Sequence, residues 1–120
     1  MLLQELSIHG EVSALESNAN QQQHLDALIN TTALGMGPLK DQSPLPELTN
    51  LPTHCVVLDA VMGYELTPFL RLAKQRDLPI IPGKAMFAAQ AWGQFEHWGL
   101  VKANTNSTSL NLFVDEALQI

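Results

Sequence analysis

Asp59 stands in Cys55-Val56-Val57-Leu58-Asp59-Ala60-Val61, an otherwise apolar run. A carboxylate toward the end of a buried strand has two common uses. It can face the crevice outside the carboxyl ends of parallel strands, where open α/β sheets bind ligands. It can also hold a turn or cap a following helix, and spacing alone favours this second use. Gly83 lies between a short apolar stretch, Leu78 to Ile81, and a long amphipathic one, Lys84 to Trp98. A glycine there lets a ligand approach the backbone at a helix N-terminus, or it is a plain turn residue. Gln90 lies at the edge of the apolar stripe of that stretch. Its amide can donate to and accept from ligand hydroxyls, although a surface or satisfied core glutamine is the commoner case.

Other chemistries find little support. His9, His24, His54 and His97 have no metal-ligand spacing, and there is no H-E-x-x-H, so no metal site is expected. Cys55, the single cysteine, falls in the apolar run and reads as a small core hydrophobe, not a nucleophile. No G-x-S-x-G occurs. Gly35-Met36-Gly37 is followed by Pro38 and not by a helix, so it is no dinucleotide-binding turn.

The elements that must position these residues alternate between strand and helix. Leu28-Ile29-Asn30 reads as a strand end, and Cys55–Val61 as a parallel strand covered on both faces. Thr67-Pro68 is a helix start, with a threonine N-cap and proline at N1. Leu70, Ala73 and Leu72 give that helix its apolar side. Leu78 to Ile81 follows as a short strand, and strand–helix–strand order predicts a right-handed βαβ crossover. In Lys84 to Trp98, residues Phe87, Ala91, Phe95 and Trp98 form one helical stripe, expected to be core. Prolines 38, 44, 46 and 52 make Gly37 to Pro52 a long irregular loop, of a length that is often functional. Leu2 to Ile8 reads as a helix end or strand, Glu11 to Leu15 as a short strand, Ser17 to Gln23 as a loop or helix start, and Thr108 to Gln119 as a closing helix. The coarse prediction is one parallel α/β unit of three or four strands with flanking helices.

Composition bounds the function classes. The chain has 120 residues, enough for one small domain, with 46% hydrophobic and 15% charged residues. Its formal net charge of −6 argues against nucleic acid as a partner, because phosphates need a basic surface. A single cysteine gives no sign of an oxidising compartment. No run of 18 apolar residues spans a membrane, and the start has no basic n-region of a signal peptide. A cytoplasmic protein is the expectation.

Three blocks together resemble the shikimate dehydrogenases. Leu28-Ile29-Asn30-Thr31-Thr32-Ala33-Leu34-Gly35-Met36 is similar to the family's I-N-A-T-P-x-G-M. Val57-Leu58-Asp59-Ala60-Val61, then Thr67-Pro68-Phe69-Leu70, is similar to D-x-x-Y-x-P-x-x-T-P-L-L. Gly83-Lys84-Ala85-Met86, then Gln90, Phe95 and Trp98, is similar to G-x-x-M-L-x-x-Q-x-x-x-x-F-x-x-W. Their order and spacing agree with the family over roughly residues 24 to 100.

The resemblance implies a partial Rossmann-like sheet and reversible hydride transfer between NADP and a shikimate-like hydroxy acid. It implies cofactor contacts at Asn30, Thr32, Ala60, Gly83 and Met86, and substrate contacts at Gln90 and at Met62. Met62 replaces the family's tyrosine, and a thioether cannot donate the phenol's hydrogen bond. Altered specificity is the consequence drawn from that departure. The resemblance places the family's catalytic Lys/Asp pair, its substrate domain and its Gly-rich phosphate turn ahead of the matching region. Residues 1–120 are therefore read as the C-terminal half of an NADP-binding domain, with no catalytic residue assigned and no activity expected alone. A partner chain supplying the other half, or a homo-oligomer, is the expected association. The alternative is a non-catalytic ligand-sensing or regulatory module, or a degenerate remnant, derived from that family.

Overall fold

The computed structural model describes residues 24–63 and 66–101. The readings for Leu2 to Gln23 and the closing helix at Thr108 to Gln119 lie outside the described residues. Three strands form one sheet: β1 (Ala27–Asn30), β2 (Val56–Asp59) and β3 (Ile80–Ile81). Their order is β1-β2-β3, and both pairings are parallel. The α/β class and the parallel three-stranded sheet therefore agree with the sequence prediction. β2 is shorter than predicted. Ala60 N–H still bonds to Asn30 O at 2.9 Å. The next amide, Val61 N–H, turns back onto the Asp59 side chain at 3.0 Å, and pairing stops there.

Side chains alternate across the sheet. In the register Leu28↔Val57↔Ile80 and Asn30↔Asp59, these residues share one face. Helix α1 (Pro68–Lys74) covers that face, burying Phe69, Leu70 and Ala73 with Cys55, Val57 and Leu78. Its start is fixed as the sequence predicts. Thr67 caps it, the hydroxyl oxygen accepting from Leu70 N–H at 3.3 Å, with Pro68 at N1. Its end is a Schellman turn. Asp77 takes a left-handed φ of 55°, Leu78 N–H reaches Ala73 O, and Asp77 N–H reaches Lys74 O, both at 3.1 Å. Leu78 and Ala73, the apolar pair of that turn, are both in the core.

The proline-rich loop is a structural surprise. Leu45, Leu48 and Leu51 within it are buried in the same core as α1. A turn of 3₁₀ helix at Gly37–Leu39 opens the loop, and Ser43 stiffens it by donating to Leu45 O at 2.6 Å. Its length thus serves packing: three leucines at i, i+3 and i+6 supply a core side that no regular element provides.

The opposite face is different. Ile29, Leu58 and Ile81 form a row there, with Ile29 56% exposed. Helix α2 (Gly83–His97) buries only Gly83 and Ala88. The expectation that its aromatic stripe is core is corrected: Phe87 is 57% and Trp98 62% exposed. Ala91 and Phe95 are half-buried. Periodicity identified the helix, but burial needs an opposing element, and none among the described residues lies over Phe87. Phe87→Ser is accordingly expected to change the stability of the chain by less than about 0.5 kcal/mol, as for surface substitutions generally. Urea unfolding followed by circular dichroism measures this, and a loss above about 2 kcal/mol would reveal a buried Phe87. No helix among the described residues is long and apolar enough to cross a membrane.

Candidate functional site

The carboxyl ends of β1 and β2 meet at a buried polar pair. Asn30 and Asp59 are paired in register, and Asn30 Nδ2 donates to Asp59 Oδ1 at 3.0 Å. Asp59 is fully buried. The same Oδ1 accepts from Val61 N–H at 3.0 Å, and Oδ2 accepts from the Thr67 hydroxyl at 2.6 Å. Of the two uses open to Asp59 from sequence, the structure has the turn-and-cap use. The carboxylate sits behind the crevice and faces protein donors only.

Asn30 organises the loop that follows β1. Its Oδ1 accepts from Thr32 N–H at 3.0 Å and from the Thr32 hydroxyl at 2.8 Å, and its second amide hydrogen goes to Leu34 O at 3.2 Å. Thr32 Oγ1 in turn accepts from Leu34 N–H at 3.2 Å. The Asn30 amide is thus saturated within the protein. Thr32 is exposed at the mouth of the loop. The loop ends at Gly35, whose φ of 95° suits glycine. A Cβ there would also come within 3.1 Å of the Thr67 methyl group.

Ala60 and Gly83 are neighbours. A Cβ on Gly83 would lie 2.9 Å from Ala60 O and 2.3 Å from Val61 O. The missing side chain therefore lets α2 start directly against the backbone leaving β2. Sequence reasoning offered close ligand approach or a plain turn, whereas the structure adds tight helix–strand packing. Beyond Gly83, a shallow apolar groove runs between the sheet and α2. Leu58, Ile81, Ala85, Met86, Ala89 and Gln90 line it, and the lining is almost wholly apolar. Met62 follows Val61 and is half exposed.

The structure thus brings Asn30, Thr32, Ala60 and Gly83 to one end of the sheet, with Met86 and Gln90 along the adjoining groove. Thr67 was visible in sequence only as a helix cap. The Asn30–Asp59 bond could have been suspected from polar residues closing two successive apolar strands, but nothing local pointed to the Thr67–Asp59 bond. Cys55 is core: burial pushes its thiol up, with the Asp26 carboxylate adding to the shift, which is the unreactive direction. Among the described residues, no group of three His, Cys, Asp or Glu side chains could hold a metal.

Small side chains and a thioether around an apolar floor suit a flat, weakly polar group. No model of a known protein family matches the chain. Individual relatives do. The chain is 35% identical over 94 residues to the shikimate dehydrogenase (NADP(+)) of Alkaliphilus oremlandii, covering 77% of this chain and 33% of that protein. It is 36% identical over 83 residues to the enzyme of the same name from Methanococcus aeolicus, covering 69% and 30%. Among solved structures, shikimate 5-dehydrogenase from Listeria monocytogenes, in complex with shikimate and NAD, superposes with a TM-score of 0.66 over 87% of this chain and 33% of that one, at 22% identity. The chain spans about a third of the length of the curated relatives it matches. In sequence it is similar to these shikimate dehydrogenases, and in fold to the solved one, over that part of their length.

Proposed function

We propose that residues 24–101 form the nicotinamide side of an NADP-dependent oxidoreductase site acting on a shikimate-like hydroxy acid. We further propose that these 120 residues alone do not turn over. The observation that carries the reading is the contact of Gly83 with the Ala60 and Val61 carbonyls beside the apolar groove. It sets the apolar groove beside the carboxyl ends of parallel strands, where open α/β sheets bind ligands. The relatives named as NADP(+) shikimate dehydrogenases support the cofactor and substrate class.

In this reading Leu58, Ile81, Ala85 and Ala89 exclude water from one face of the ring, and Met86 closes its side. Gln90 offers an amide to the substrate or to the carboxamide. Met62, in place of a phenol, removes one hydrogen-bond donor from the substrate side, so specificity differs from that of a tyrosine-bearing enzyme. When bound, the nicotinamide supplies or accepts the hydride. The alcohol proton needs a base within hydrogen-bond reach, and none of the groove residues titrates. Most dinucleotide affinity comes from the pyrophosphate at a Gly-rich helix N-terminus, and 120 residues without that turn bind through the nicotinamide end alone. A segment carrying the turn and the base, in the same chain or in a partner, would complete the site.

The expected result is no shikimate oxidation by the purified chain and NADPH binding near millimolar, about −4 kcal/mol. Backbone NMR shifts on titration should concentrate at Ala60, Gly83, Met86 and Gln90. Clear turnover or micromolar affinity would overturn the inactivity, and shifts located elsewhere would overturn the site.

A further inference from the structure

We propose that Asp59 is the positioning residue of this site: a buried carboxylate that locks the Asn30–Gly35 loop, the Ala60–Val61 backbone and the start of α1 into one rigid rim before any ligand arrives. The inference deepens the functional reading above and rests on it for what the rim holds. The lock itself can be read without a ligand.

Three chain segments converge on one side chain. Asn30, 29 residues upstream, and the Val61 amide share Oδ1, while Thr67, eight residues downstream, takes Oδ2. Each donor has a second task. The Asn30 amide also holds Leu34 O, and its oxygen fixes Thr32. The Thr67 hydroxyl oxygen also caps α1 through Leu70 N–H. Ala60 is held on both sides: its own N–H is on Asn30 O, and the next N–H is on Asp59. Gly83, and with it the start of α2, rests on the carbonyls of Ala60 and Val61. Any movement of the carboxylate is therefore passed to the loop, to Ala60 and to the edge of the groove. Asp59 has no exposed surface, so it acts through these neighbours and touches no substrate.

An asparagine at position 59 has the same shape but the wrong polarity. With its oxygen toward Asn30 and Val61, its NH₂ faces the Thr67 hydroxyl. That hydroxyl must then turn its proton away from its only described acceptor. The Thr67 contact then persists only reversed, with the hydroxyl accepting, so Asp59→Asn spares most of the lock, whereas Asp59→Ala removes both oxygens and every bond of it.

The test follows amide hydrogen exchange by NMR in the full chain, each rate taken relative to the core amide of Val57, which bonds to Pro79 O. In Asp59→Ala, the Val61, Thr32 and Leu34 amides should exchange at least tenfold faster on that scale. In Leu78→Ala, a core change at the far end of α1, these ratios should stay as in the wild type. Unchanged Thr32 and Leu34 ratios in Asp59→Ala overturn the proposal. If that variant does not fold, Thr67→Val against Thr67→Ser decides: serine keeps the hydroxyl and should restore protection, and equal exchange in the two overturns the lock. A parallel titration with reduced nicotinamide mononucleotide should show at least fivefold weaker binding to Asp59→Ala than to the wild type. Equal binding overturns the positioning role. Failure of the wild type to bind overturns the proposed function instead, while the exchange ratios still decide the lock.

Discussion

Gly83→Ala is expected to destabilise the chain by about 3 kcal/mol or more, the upper end for overpacking a filled space. The added methyl would sit 2.3 Å from Val61 O and 2.7 Å from Val61 C. These are backbone atoms of a segment tied to Asp59 and Asn30, so they cannot swing aside as a flexible side chain would. Relief requires α2 to lift from the end of β2, which opens the groove at Met86 and Gln90. Gly93 is the control. It lies in the same helix with nothing within 4 Å of a built Cβ. Gly93→Ala should therefore stabilise by about 0.5–1 kcal/mol through helix propensity. Urea midpoints of the two variants, read by circular dichroism, should move in opposite directions. If both move upward, α2 does not start against Ala60 and Val61.

Leu48→Ala is expected to cost about 2–5 kcal/mol, the range for truncating a buried leucine. Leu48 is 2% exposed and among the largest fully buried side chains, although it lies in a loop without strand or α-helix. Small domains have total stabilities of about 5–15 kcal/mol, so this one change can unfold a large fraction of the chain. Glu47 is exposed beside it, and Glu47→Ala should stay within about 0.5 kcal/mol of the wild type. Thermal and urea unfolding of the pair would check this. Equal behaviour of the two variants would mean that the loop does not close the core.

These two positions also mark what could be read from the sequence. The strand–helix–strand order, the Thr67-Pro68 start and the parallel sheet followed from local signals, because apolar runs, caps and prolines act over a few residues. The core role of Leu45, Leu48 and Leu51 did not. Prolines announced an irregular chain, and nothing local says that an irregular chain is buried. The stripe at Phe87 and Trp98 failed in the opposite direction. Spacing reports which residues share a helix face, whereas burial depends on what lies opposite. At the site, Asp59 and Gly83 were picked out as special residues. Their roles came only with the fold, since one is set by donors 29 and eight residues away and the other by carbonyls more than 20 residues upstream.

The Asn30–Asp59 pair also guards the fidelity of strand alignment. β1 and β2 have four residues each, so few backbone bonds choose between neighbouring alignments. Sliding β1 by one residue would set Ile29 beside Asp59, and sliding it by two would set Leu28 there. Either slip removes the Asn30 donor and leaves a fully buried carboxylate oxygen short of a partner, at a cost of about 1–3 kcal/mol. A one-residue slip also turns the apolar side of the strand outward. An all-apolar pair of strands would carry no such penalty and could settle in several alignments. A single polar contact at the end of two short strands thus acts as a proofreading step in folding: mispaired sheets are made costly at the residue that closes them.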